Sequence, residues 1–186
     1  MPPRSQIKGG GDTIISAYER LRRALVQGHV SEAEDVAAVI REMLEASKDL
    51  LGDDADLALG LLKQSMRAVI GGISAILAGD NQTGIKRLEK LTKTKSVNPS
   101  LLWVAWQWMA LAARGAGNIL TAHKAATNAM ELAERLDSRA RSTSLSTLGE
   151  IRALQGRTEE ALGHLETAQE LFKDLDDRRG MAAVLG

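Results

Sequence analysis

Three histidines, His29, His123 and His164, are the side chains of this chain best suited to move a proton near neutral pH. Their spacing does not gather them. Each falls near the start of the second helix of a different helical pair, so they are read as surface or inter-helix residues that do not converge. The carboxylate pairs Asp53/Asp54 and Glu159/Glu160 fall where helices begin, and there negative charge meets the positive end of the helix dipole. Gly9-Gly10-Gly11-Asp12 lacks the Gly-Lys-Ser/Thr of a phosphate loop and follows no strand. The absence of cysteine removes thiol nucleophiles, disulfides and cysteine-ligated metals. No set of nucleophile, base and orienting group is recognisable. The sequence therefore predicts a non-enzyme with no cofactor and no metal, whose chemistry is that of binding.

Candidate binding groups are more prominent. Trp103, Trp106 and Trp108 fall within six residues. Trp103 and Trp106 share a helix face, with Trp106 at the packing position and read as core. Trp108 points elsewhere and is read as packed on a flanking helix, a surface anchor being the alternative. Lys86, Arg87, Lys90, Lys93 and Lys95 make one helix basic, interrupted by Glu89, while Glu32, Glu34, Asp35, Glu42 and Glu45 make another acidic. The basic run is read as a solvated face, an acidic partner being the alternative, and the opposite patches could favour head-to-tail association, weakened by screening. No stacking aromatics are interleaved with the basic run, so nucleic acid is not expected. The balance of 24 Lys+Arg against 24 Asp+Glu provides no net field toward nucleic acid or an anionic membrane.

The elements that must position these groups are helices. Hydrophobic residues make up 44% of the 186, aromatics only 3%, and strand-like alternation is absent, so the class is all-α with a substantial core. Gly28, Gly79, Gly117 and Gly156 each close an apolar-periodic segment, and five residues later comes a small residue: Ala33, Gly84, Ala122 or Ala161. A glycine past a helix end supplies a left-handed cap, and a small residue on the next helix lets two antiparallel helices approach closely. The small residues lie 51, 38 and 39 residues apart, the mark of a helical-hairpin repeat. Residues 1–11 read as a flexible tail and 12–186 as one repeat domain. Helices are expected near 13–27 and 31–50 (opened by a Ser31/Glu34 capping box), then from the Gly52-Asp53-Asp54 break to about Ala78, then near 82–95, 100–114, 118–136, 138–155 and 158–175, with a last one to Gly186 capped by Asp176-Asp177. Gly71-Gly72 inside the third either weakens it or permits very close packing. The start MPPRSQIKGGGD has no apolar core, and no segment approaches 18 uncharged apolar residues. The expected compartment is the cytoplasm, without membrane insertion.

Thr147-Leu148-Gly149, Gly156, Ala161, Leu165 and Ala168 follow the spacing of a tetratricopeptide unit, and the stretch from Ala161 through Leu171-Phe172 to Leu185-Gly186 resembles the longer bacterial variety. Trp106, Ala122, Ala126 and Ala129 repeat the pattern; Ala33, Ala37 and Ile40, then Gly72, Gly84, Leu88 and Leu91, repeat it less closely. The usual first-helix tyrosine is replaced by Ala24, Ala75, Ala113 and Arg152. Over about 13–186 the chain resembles the tetratricopeptide-repeat family. The resemblance implies a right-handed α-solenoid of about four hairpins plus a C-terminal extra helix. Because Leu185-Gly186 stands where a fifth unit would begin, the chain is expected to be a fragment of a longer protein.

In that family the first helices of the hairpins line a concave groove. Carried over, the register gives Ile15, Tyr18, Arg22 and Leu25; Met66, Val69, Ile73 and Ile76; Val104, Gln107, Leu111 and Arg114; and Thr143, Ser146, Glu150 and Ala153. The second and third sets are apolar enough to dock a partner's helix or extended segment. Burial of the same residues by a neighbouring helix is the alternative. The expected site is Tyr18, Met66, Val69, Ile73, Ile76, Val104, Gln107, Leu111 and Arg114, with another protein or peptide as partner, within a larger bacterial signalling or regulatory assembly. A homo-oligomeric assembly module and a small-molecule-sensing regulatory domain are the other readings.

Overall fold

The computed structural model describes residues 14–46, 54–94 and 97–185. Among them nine helices follow one another: α1 (Ile14–Gln27), α2 (Val30–Ala46), α3 (Asp54–Leu77), α4 (Asn81–Thr92), α5 (Pro99–Gly115), α6 (Ile119–Ala133), α7 (Ser138–Leu154), α8 (Thr158–Asp174) and α9 (Arg178–Leu185). They pack as consecutive antiparallel hairpins, α1 with α2, α3 with α4, α5 with α6 and α7 with α8, while α9 lies against α8 and α7. Among the described residues no helix is long and apolar enough to cross a membrane. The expected tail over 1–11, the expected first-helix start at 13, Asp53, Lys95 and Gly186 lie outside the described residues.

Local chemistry sets each reversal. Gly28, Gly79, Gly117 and Gly156 all have φ between 72° and 87°. The amide that follows each glycine donates back into the helix just ended: His29 to Ala24 O at 2.9 Å, Asp80 to Ala75 O at 2.9 Å, Asn118 to Ala113 O at 2.8 Å and Arg157 to Arg152 O at 3.0 Å. This is the closure of a Schellman motif. The corner between α8 and α9 makes it without glycine. Asp176 takes φ 49° and the Asp177 amide reaches Phe172 O at 2.8 Å; aspartate is one of the few side chains that tolerate the left-handed region. The next residue often starts the following helix. Asp80 accepts from Thr83 N, Asn118 from Thr121 N and Asp177 from Gly180 N. Helix stop and helix start thus share two or three residues, so the chain must double back. At α2 the expected Ser31 cap is displaced: the helix starts at Val30, Ala33 N bonds His29 O, and Ser31 lies within the first turn.

The small residues sit where two helices come closest. Ala33, Gly84, Ala122 and Ala161 are all buried. A Cβ placed on Gly84 would stand 2.8 Å from Gly72 O and 2.4 Å from Ile76 Cγ1. One on Gly149 would stand 2.8 Å from Leu165 Cγ and 3.2 Å from Ala161 O. Gly72 therefore serves close packing of α3 on α4.

A continuous core runs from Leu21 and Leu25 of α1 to Ile151 of α7, and a smaller one joins Leu145, Ala168 and Phe172 to Met181 and Val184. α5 is the hub, packing on α1, α3, α4, α6 and α7. That position packs Trp108 on a neighbouring helix, as expected, while Trp106, read as core, lies at the core's edge. Trp103 and Trp108 are the buried pair, and Trp106 is only half-buried. Each buried indole finds an acceptor, as a buried indole N–H requires: Trp103 Nε1 donates to Ser144 Oγ at 2.9 Å, and Trp108 Nε1 to Leu25 O at 2.8 Å. The second bond fastens the end of α1 onto α5.

Candidate partner-binding cleft

Between α1, α5, α7 and the α8–α9 corner lies a cleft of about 750 Å³. Val26, Leu111, Phe172, Leu175 and Ala183 supply apolar lining, and Ser138, Thr143, Ser146 and Thr147 supply hydroxyls. The hydroxyls come from α7, an interior helix with unusual polarity: Ser142, Ser144, Ser146 and Thr147 are all buried. Most are satisfied within the fold. Thr143 and Thr147 donate to carbonyls one turn back, at 2.9 and 3.1 Å. Ser144 Oγ accepts from Trp103 Nε1 and, at 2.7 Å, from Gln107 Nε2, and so ties α7 to α5.

Three ion pairs frame the cleft, and all include a residue of α7 or its cap. Arg22 of α1 meets Asp137 Oδ2 at 2.5 Å, although the α1 and α7 backbones stay apart. The other oxygen of Asp137 accepts from Ala140 N at 2.8 Å, so one carboxylate caps α7 and holds α1. Arg114 of α5 pairs with Glu150, and Arg139 pairs with Asp177 at the foot of α9. Partly exposed pairs of this kind contribute only about 0.2–1 kcal/mol each. Their effect is to set the relative position of the cleft walls.

The expected groove residues separate into two groups. Leu111 lines the cleft, and Arg114 supports it through Glu150. So do other positions of the same register, namely Arg22, Thr143, Ser146 and Glu150. By contrast Met66, Val69, Ile73, Val104 and Gln107 are buried in the core, at 4% exposure or less, and Ile76 is half-buried against Gly84. An open apolar groove on α3 is thereby corrected to an interior surface. The physical reason is that α3 is surrounded, with α2, α4, α5 and α1 all packing on it, so Met66, Val69 and Ile73 join the continuous core. Tyr18 is half-buried beside that cluster. Its hydroxyl lacks a hydrogen-bond partner among the described residues, and burial pushes its pKa up to about 12. Arg23, Gln27, Asp137, Arg139, Asp177 and Arg179 line the cleft without having been singled out. No sequence signal links Arg22 to Asp137 across such a separation.

The histidines lie apart, on or at the start of separate second helices. His29 pairs with Glu32, at 3.4 Å. His123 of α6 and His164 of α8 both sense the charges of Arg152 and Glu160. Burial, then Arg152 and Arg157, hold His123 below the usual histidine range, with Glu160 acting the other way. Burial and then Arg152 do the same to His164. Arg152 meets Glu160 at 3.2 Å, and His123 Nε2 is buried without a hydrogen-bond partner among the described residues.

Of the basic run, Arg87 donates to Gly71 O at 3.0 Å and Lys93 pairs with Glu89 at 2.8 Å, while Lys86 and Lys90 are exposed. Among the described residues no group of three or more His, Cys, Asp or Glu is placed to hold a metal ion. Compared with protein-family models and with the sequences of curated proteins, the chain finds no match. Its class rests on its own architecture, an all-α protein built of sequential helical hairpins.

Proposed function

We propose that the chain is a protein-interaction module of tetratricopeptide-like, right-handed solenoid form, holding a segment of a partner protein in the cleft between α1, α5, α7 and α9. One observation carries this reading. Residues from helices far apart in sequence converge on a single concave site with apolar and hydrogen-bonding groups and no catalytic constellation among the described residues. Such a site suits a segment laid across several helices, with side chains anchored on Val26, Leu111 and Leu175. The role is that of a scaffold within a larger cytoplasmic signalling or regulatory assembly.

Selection of displayed random peptides on the protein tests it. The expected outcome is a set of binders lost on Leu111→Glu, a variant that retains its helical circular dichroism. Binders indifferent to Leu111→Glu, or none at all, refute the cleft as the site.

A second reading has its own observation. The exposed large hydrophobics Leu77, Leu120, Leu154 and Leu162 all lie within six residues of a hairpin-turn glycine, at 52–82% exposure. An apolar edge of that kind favours self-association. Molar mass that rises with concentration, and reverts on Leu120→Ser, would identify it.

A further inference from the structure

The charges of the cleft are not all used by the fold. Four arginines and four acids line it. Asp137 is neutralised by Arg22, Asp177 by Arg139, and Glu150 by Arg114 from behind. Two cations, Arg23 on α1 and Arg179 on α9, have no ion pair among the described residues, and both are exposed. Of the acids only Glu19 is left, one turn before Arg23, also exposed and without an ion pair among the described residues. The uncompensated lining charge is thus positive. The amino ends of α7 and α9 also open onto this site, through Ser138-Arg139-Ala140 and Arg179-Gly180. Helix amino ends carry partial positive charge, here shared with the capping carboxylates Asp137 and Asp177.

Resting on the reading of the cleft as a segment-binding site, we infer that its occupant is an acidic segment. It carries carboxylate side chains toward Arg23 and Arg179 at the two rims and apolar side chains between them. The rims are separated by the run α1–α5–α7–α9, in which each helix packs on the next. With neighbouring helices about 8–10 Å apart, the rims stand no more than about 30 Å from each other. An extended chain advances about 3.3 Å per residue, so a segment of up to about nine residues spans them. Arginine suits the task because its planar fork holds a carboxylate bidentately while its stem covers apolar surface. Ser146, which faces the cleft and makes no hydrogen bond within the described fold, is free to bond the segment's backbone.

The test uses two matched pools of random decapeptides, one with Asp and Glu as its only charged residues and the other with Lys and Arg. Retention is measured on the unaltered protein, on the double variant Arg23→Gln/Arg179→Gln, and on Thr143→Trp, which fills the cleft. Circular dichroism first establishes that both variants keep their helices, with Thr143→Leu replacing Thr143→Trp if the latter does not. The expected result is retention of the acidic pool at least about tenfold above the basic pool. That retention should fall about tenfold on the double variant, weaken with added salt and disappear when the cleft is filled. Cleft-dependent retention of the basic pool, or of the acidic pool without sensitivity to the two arginines, overturns the inference but leaves the segment-binding reading standing. Retention of neither pool, or retention insensitive to filling the cleft, overturns both.

Discussion

Replacing Gly84 by alanine should destabilise this protein, although alanine is the better helix former. Two effects oppose each other. In a helix interior Gly→Ala is worth about 0.5–1 kcal/mol through propensity. At Gly84 the new methyl would stand 2.4 Å from Ile76 Cγ1 and 2.8 Å from Gly72 O. Carbon atoms at rest lie about 3.5–4 Å apart, so α3 and α4 must separate by about 1 Å. The carbonyl belongs to a helix backbone and cannot swing aside as a flexible side-chain end would. Overpacking of this kind costs about 1–3 kcal/mol, leaving a net loss of up to about 2.5 kcal/mol. Gly163 provides the control: it lies within α8, and a Cβ there meets nothing within 4 Å. Gly163→Ala should therefore stabilise by about 0.5–1 kcal/mol. For a domain of this size each kcal/mol moves the melting midpoint by about 2–4 °C, so the two variants should shift it in opposite directions. Thermal unfolding followed by circular dichroism at one protein concentration measures both. If Gly84→Ala melts at or above Gly163→Ala, close backbone packing does not govern the α3–α4 hairpin.

Other consequences can be checked independently. Ile73→Glu places a charge at a site with 0% exposure and should unfold the domain, at a cost of several kcal/mol, whereas Leu111→Glu on the cleft wall should keep the far-ultraviolet spectrum; equal behaviour of the two would refute the division between core and cleft. The chain has a single tyrosine, so tyrosinate absorbance reads Tyr18 directly, and its midpoint should lie near 12, well above the ordinary 10.0. Because that pKa is raised by folding, the associated stability is present below about pH 10 and is lost as pH climbs from there toward 12; a midpoint near 10 in the folded protein would contradict the burial. His123 and His164 have the opposite sign: their folded values lie below 6.5, so their contribution is complete above that pH and is lost as pH falls below it. Urea midpoints should accordingly drop from about pH 7 to about pH 5, and His123→Gln/His164→Gln should flatten the drop; an unchanged slope would show that the pair does not sense acid.

Much of the architecture is legible in the residues themselves. Gly79-Asp80 and Gly117-Asn118 both end one helix and cap the next, and such signals act over a few residues, so the hairpins and most of their boundaries can be read from the chain. The small residues Gly84 and Ala161 likewise announce where second helices press on first ones. The α2 start is the exception: Ser31 offers a good cap, yet the turn made by Gly28 and His29 begins the helix earlier.

The site depended on how hairpins lie against one another. Val69 and Ile73 have the composition and register of groove residues, but composition does not say which neighbour covers an apolar face. That was decided by the helices that pack on α3, namely α2, α4, α5 and α1. The Arg22–Asp137 bridge arose in the same way, from a contact between separate hairpins. The sequence by itself determined helix, turn, cap and close-contact position, because each is written in interactions spanning a few residues or one hairpin. Only the tertiary structure decided which apolar surface became core and which charges faced a common cleft, because hydrophobic burial has no direction of its own and takes whatever partner the packing presents.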